Sequence, residues 1–155
     1  MAAHVQVPPS SLSNMWRRLL DTLLPRCCVL CGEAAGAEAV CAACAARLPE
    51  PPACCCPQCG IATLEDGVCA QCRAAAPAFD ATWAAFSYGF PLDRLIHALK
   101  YGERLAVAPF LAGCLAELGP FPVSALLPVP LHPQRLRERG FNQSVELARP
   151  LARAW

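Results

Sequence analysis

A single lysine, Lys100, accompanies twelve arginines in this 155-residue chain, and twelve acidic residues reduce the formal charge to +1. Residues 1–76 sum to −1 and residues 77–155 to +2, so neither half carries the basic excess of a broad nucleic-acid-binding face. Long apolar runs are missing too. Nothing approaches the ~20 consecutive apolar residues of a membrane span. Arg17, Arg18 and Asp21 interrupt the one Leu-rich stretch near the N-terminus and no small-residue cleavage site follows it. No secretory signal is expected there, and a cytoplasmic, reducing location is the expectation. The scarcest commodity is core. Between residues 27 and 76 only seven large apolar side chains occur (Val29, Leu30, Val40, Leu48, Ile61, Leu64, Val68), and none is aromatic. Hydrophobic burial cannot hold that stretch together, so a cross-link must.

What is abundant there is cysteine: 11 of the 12 lie between Cys27 and Cys72. The stretch is an internal repeat. Residues 27–44 and 55–72 align without a gap at a shift of 28 and agree at 9 of 18 positions, including every paired cysteine and the glycines Gly32 and Gly60. Four CxxC pairs result: Cys28/Cys31, Cys41/Cys44, Cys56/Cys59 and Cys69/Cys72. A two-residue spacer lets both thiolates of a pair face one ion, and two pairs complete a tetrahedral four-cysteine zinc site. Sequential sites, 28/31/41/44 and 56/59/69/72, are expected because each repeat then closes its own loop; spacing alone also allows first with third and second with fourth. Cys27 and Cys55 hold equivalent repeat positions and could replace Cys28 and Cys56, while Cys114 reads as a core residue. Closed four-thiolate sites are structural. With both filled, each adding an ion of +2 and four thiolates, the chain moves from +1 to −3, which weakens any reading of the ribbons as DNA-backbone binders.

The expected organisation is a disordered leader at 1–11, an amphipathic helix at 12–25, a double zinc ribbon at 26–76 and an α/β domain at 77–155. The helix rests on Leu12, Met15, Trp16, Leu19, Leu20, Leu23 and Leu24, which recur at three- and four-residue steps until Pro25. In the second half, residues 81–88 read as a buried strand, and Leu92, Leu95, Ile96 and Leu99 as a helical face. A second helix is expected at 104–118, a strand at 124–130, then a polar loop HPQRLRERG. A last helix starts near Asn142, and Pro150 kinks or stops it. Arg135, Arg137 and Arg139 beside the first turn Asn142, Gln143 and Ser144 would suit an anion, at the place where open α/β sheets put ligands. Lys100, at the end of its helix face, would add a point charge for a phosphate.

The CxxCG repeats, SYGFPLDRLIHALKYGERLA and LLPVPLHPQRLRERGFNQSVELAR together resemble the ComF family, competence-protein-F-like proteins. The likeness runs from about Leu19 to the last residue. It implies a double zinc ribbon followed by a type I phosphoribosyltransferase-like domain. It also implies a phosphoribosyl pyrophosphate site contacted by Lys100, Tyr101, Arg139, Gly140, Asn142 and Gln143, and a link to DNA uptake in natural competence. Competence DNA-uptake proteins and single-stranded DNA are the partners it suggests, and Mg2+ would enter only with phosphoribosyl pyrophosphate in the full-length domain. The sequence departs from the family in one respect. The strand, adjacent acidic pair and Thr/Gly-rich loop that bind phosphoribosyl pyrophosphate do not follow, and the one adjacent acidic pair is Glu65–Asp66 in a ribbon loop. The expectation is therefore the N-terminal portion of such a protein, with an incomplete α/β domain and no transferase turnover by itself. The alternative is a zinc-ribbon protein-interaction module of the competence machinery.

Overall fold

The computed structural model describes residues 26–102, 104–119, 121 and 123–155. The expected leader at 1–11 and the expected amphipathic helix at 12–25 lie outside the described residues. Each cysteine repeat folds the same way. In the first, the Cys28 N–H donates to Glu33 O at 2.7 Å and the Gly32 N–H to Cys28 O at 2.9 Å; in the second, Cys56 donates to Ile61 at 2.9 Å and Gly60 to Cys56 at 2.8 Å. These bonds close tight knuckles that need a left-handed residue, which Gly32 (φ 81°) and Gly60 (φ 72°) supply. A single antiparallel bridge closes each knuckle, Cys27 to Ala34 and Cys55 to Ala62. A short helix then follows the third cysteine, α1 at Ala42–Ala45 and α2 at Ala70–Ala74, with Cys41 and Cys69 as the respective N-caps.

The second half is helical: α3 at Leu92–Tyr101, α4 at Val107–Ala116, α5 at Pro133–Arg139 and α6 at Gln143–Ala154. The expected helical face is present, with Leu92, Leu95 and Leu99 buried along α3. They pack with Val107, Ala108 and Leu111 of α4, and α6 lies against α4. This core does not belong to the helices alone. Cys28, Ala39, Val40 and Leu48 of the first repeat are buried in the same cluster, whereas no residue of the second repeat joins it. The second ribbon is held to its surroundings by lighter means, such as the Thr82 N–H donating to Pro57 O at 3.3 Å. Two bonds from Ser87 to the spacer between the repeats, to Pro49 O at 3.0 Å and Glu50 O at 2.8 Å, fasten the start of the second half.

Three local expectations differ from the structure. Residues 81–88 and 124–130 form no ladder among the described residues. The first is bent and bonded to the ribbon region; the second is extended, with Leu127 89% and Val129 71% exposed. Apolar, β-prone composition makes a strand only when a neighbouring chain segment offers donors and acceptors, and here neither segment meets one. The stretch expected as a loop holds α5. His132 caps it by accepting the Gln134 N–H on Nδ1 at 3.3 Å, Pro133 occupies its first turn, and Gly140 (φ 74°) ends it. Finally, α6 runs through Pro150 and buries Leu151 just beyond it, so packing on α4 outweighs the one backbone bond that proline forfeits.

Candidate metal centres and the arginine cluster

The knuckles and short helices bring the eight paired cysteines into two groups, Cys28/Cys31/Cys41/Cys44 and Cys56/Cys59/Cys69/Cys72, with the sulfurs of each group within 4.8 Å of one another. The sequential pairing is therefore the one that forms, and the crossed pairing does not. The spacing fits a metal. Four sulfurs about 2.3 Å from a tetrahedral ion stand about 3.8 Å apart; Cys31 and Cys41 Sγ are 3.8 Å apart and Cys59 and Cys69 Sγ 3.7 Å. A disulfide would need about 2.05 Å, and all twelve cysteines are free. Cys27, Cys54, Cys55 and Cys114 stand outside both groups. Cys114 is half-buried on α4, and burial first, then Glu117, pushes its thiol up.

Backbone N–H groups turn toward the sulfurs: Cys41 N to Cys28 Sγ and Cys69 N to Cys56 Sγ, both at 3.4 Å, and Cys72 N to Cys69 Sγ at 3.5 Å. These donors favour thiolates. Burial alone would raise Cys28, yet the amides of Cys41, Cys31 and Leu30 outweigh it and bring the thiol down to about 6. For Cys56 the amides of Cys69 and Cys59 lead and likewise bring it to about 6. The last cysteine of each group moves the other way, up to about 12: Cys44 chiefly because of the Cys31 sulfur, Cys72 chiefly through burial and then the sulfurs of Cys59 and Cys69. Four thiolates cannot accumulate at one point without a cation. A zinc ion supplies that cation, and the donor set is the one a closed structural site uses.

Residues 19–73 match the double zinc ribbon domain family. A double zinc ribbon domain is present. It covers about a third of the chain, and no curated protein and no solved structure matches the chain. Both ribbons of the domain are compatible with one structural zinc ion each.

Away from the ribbons, residues distant in sequence meet around Tyr101. Arg139, at the end of α5, places its guanidinium over the Tyr101 ring at 4.7 Å and donates to the Tyr101 hydroxyl at 3.1 Å and to Gln143 Oε1 at 3.3 Å. Asn142 caps α6, accepting the Ser144 N–H at 2.9 Å and donating from its amide to Val129 O at 3.0 Å. Lys100 lies between two clefts, one shared with Tyr101 and His97, the other with Gln143 and Ser144. Of the residues expected near phosphate, Tyr101, Arg139 and Gln143 thus form one contact group, and Gly140 and Asn142 set its backbone. His97, which the sequence marks only as a surface or packing residue, has its ring centroid 4.8 Å from that of Tyr101; the sole hint was its position four residues before Tyr101. The basic loop residues are less available to single-stranded DNA than their number suggests. Arg135 pairs with Glu138 at 3.0 Å, Arg139 is engaged with Tyr101, and Phe141 packs against the core. Among the described residues no helix is long and apolar enough to cross a membrane.

Proposed function

We propose that the double zinc ribbon is the structural head of a ComF-type protein and that residues 77–155 supply part of a phosphoribosyltransferase-like domain. In this reading Lys100, Tyr101, Arg139, Gly140, Asn142 and Gln143 contribute the pyrophosphate side of its site. The observation that carries it is the joining of Arg139 to both Tyr101, 38 residues away, and Gln143. Anchored from two sides, the guanidinium is preorganised beside the N-terminus of α6, whose positive end favours an anion. The apolar segments 81–88 and 124–130, which form no ladder among the described residues, are the strands that such a domain would use, given neighbours to pair with.

The test is titration of the two-zinc chain with pyrophosphate and with phosphoribosyl pyrophosphate plus Mg2+, followed by amide shifts. Perturbations should centre on residues 139–144, and Arg139→Ala should weaken binding about tenfold or more, the loss of a charge-assisted hydrogen bond. Perturbations elsewhere, or none, would overturn the reading. One observation favours the alternative, a protein-interaction module for competence proteins without transfer chemistry. Among the described residues the adjacent acids Glu65 and Asp66 sit exposed in the second ribbon. For such a module the Arg139→Ala/Asn142→Ala variant should keep partner binding.

A further inference from the structure

The two zinc centres share one local geometry but not one environment. A cleft of about 390 Å³ opens between the first ribbon and the start of α3, and Cys31 and Cys44 line it together with Arg47, Arg94, Leu30 and Phe90. Arg47 follows α1 directly; Arg94 projects from the first turn of α3, next to the fully buried Leu95. Among the described residues the ion pairs are Arg135–Glu138 and Arg149–Glu146, so no carboxylate there neutralises either cleft arginine. The second ribbon differs in its charges. The repeat shift of 28 sets Ala75 opposite Arg47, the acids number two in each repeat (Glu33 and Glu38 against Glu65 and Asp66), and the second ribbon carries a single arginine, Arg73, after its last cysteine. A filled four-thiolate centre carries −2, and two arginines lining one cleft with two of its cysteines match that charge. For the same reason the cleft is a poor trap for a separate anion, since the filled centre cancels its arginines.

We propose that Arg47 and Arg94 are paired outer counter-charges of the first zinc centre, where the second has the single Arg73 next to its last ligand, and that the first centre therefore holds its ion longer. This rests on the two cysteine groups holding zinc, which a metal count of two per chain establishes independently. Arg94 comes from the helical half, so the charge match also joins that half to the ribbon, in register with the shared core. Neither arginine ligates the ion; both act as positioning residues through the field at Cys31 and Cys44.

Zinc release from the two-zinc chain into a neutral chelator, tetrakis(pyridylmethyl)ethylenediamine, tests this by native mass spectrometry, which counts the ions remaining per chain. A neutral chelator matters, because an anionic one would itself be drawn to the arginines. Wild type should lose its ions in a fast and a slow phase, and the Cys56→Ser/Cys59→Ser variant should carry one ion and show only the slow one. Arg47→Ala/Arg94→Ala should speed the slow phase about tenfold and leave the fast phase unchanged, and Arg47→Lys/Arg94→Lys should recover most of the difference. Should the alanine variant lose its helical circular dichroism, wild type decides the matter alone. Raising salt from about 0.05 to about 0.5 M should quicken only the slow phase. A slow phase indifferent to both arginines and salt, or equal acceleration of both phases, would overturn the proposal.

Discussion

The eight ligand cysteines are unequal in their hold on protons, and that inequality shows how the centres load. With Cys28 and Cys56 at about 6 and Cys44 and Cys72 at about 12, each metal-free group at neutral pH offers one thiolate readily while keeping its last thiol protonated. Zinc needs all four as thiolates, so binding must expel protons. The sign follows: affinity rises with pH, and falls further once acidification past about pH 6 protonates Cys28 and Cys56 as well. Calorimetry in two buffers of different ionisation enthalpy should show net proton release for both ions; heats that do not depend on the buffer would contradict it. Glycine makes a second demand at this scale. A methyl group at Gly32 would meet nothing within 4 Å but must adopt φ 81°, whereas one at Gly60 would also press on Thr82 Cγ2 at 3.3 Å. Gly32→Ala should cost about 1–2 kcal/mol from backbone strain, and Gly60→Ala somewhat more, read as the loss in zinc affinity of the respective ribbon.

Among the elements, α3 joins the two halves. Leu95 is fully buried between the first ribbon and α4, so Leu95→Ala should destabilise the two-zinc protein by about 2–5 kcal/mol, measured by denaturant unfolding. The exposed Leu127, at 89%, should tolerate alanine within about 0.5 kcal/mol. The ribbons are elements too, and only the first contributes to the common core. Hydrogen exchange should therefore keep α3 and α4 protected in Cys56→Ser/Cys59→Ser, which empties the second centre, and deprotect them in Cys28→Ser/Cys31→Ser. Equal protection in the two variants would show that the ribbons are interchangeable supports. The helices were legible in the sequence to different degrees. The Leu92/Leu95/Leu99 spacing marks α3 because one face is apolar and the other charged. By contrast, α5 was hidden in a run of polar and basic residues, where no periodicity betrays a helix whose stability comes from its caps, His132 and Gly140.

For the molecule as a whole, metal and burial divide the labour. The double zinc ribbon brings its own cross-links where large side chains are scarce, and metal analysis should return two zinc ions per chain; a ratio near one would make one repeat vestigial. What the sequence by itself determined is the chemistry of those centres, four CxxC pairs in two repeats with a glycine after each first pair; the structure then settled the grouping by repeat and the choice of Cys28 and Cys56 over Cys27 and Cys55. All of that is local, since a two-residue spacer and a nine-residue gap close each loop without help from elsewhere. Only the tertiary structure decided the rest. It made the first ribbon part of the helical core and left the second outside, placed Arg47 and Arg94 on one cleft, stacked Arg139 on Tyr101, and left two strand-like segments without partners. Each of these depends on which surfaces, far apart along the chain, meet to bury apolar area or satisfy backbone groups. Two repeats of one pattern carry no mark of which will meet Leu95.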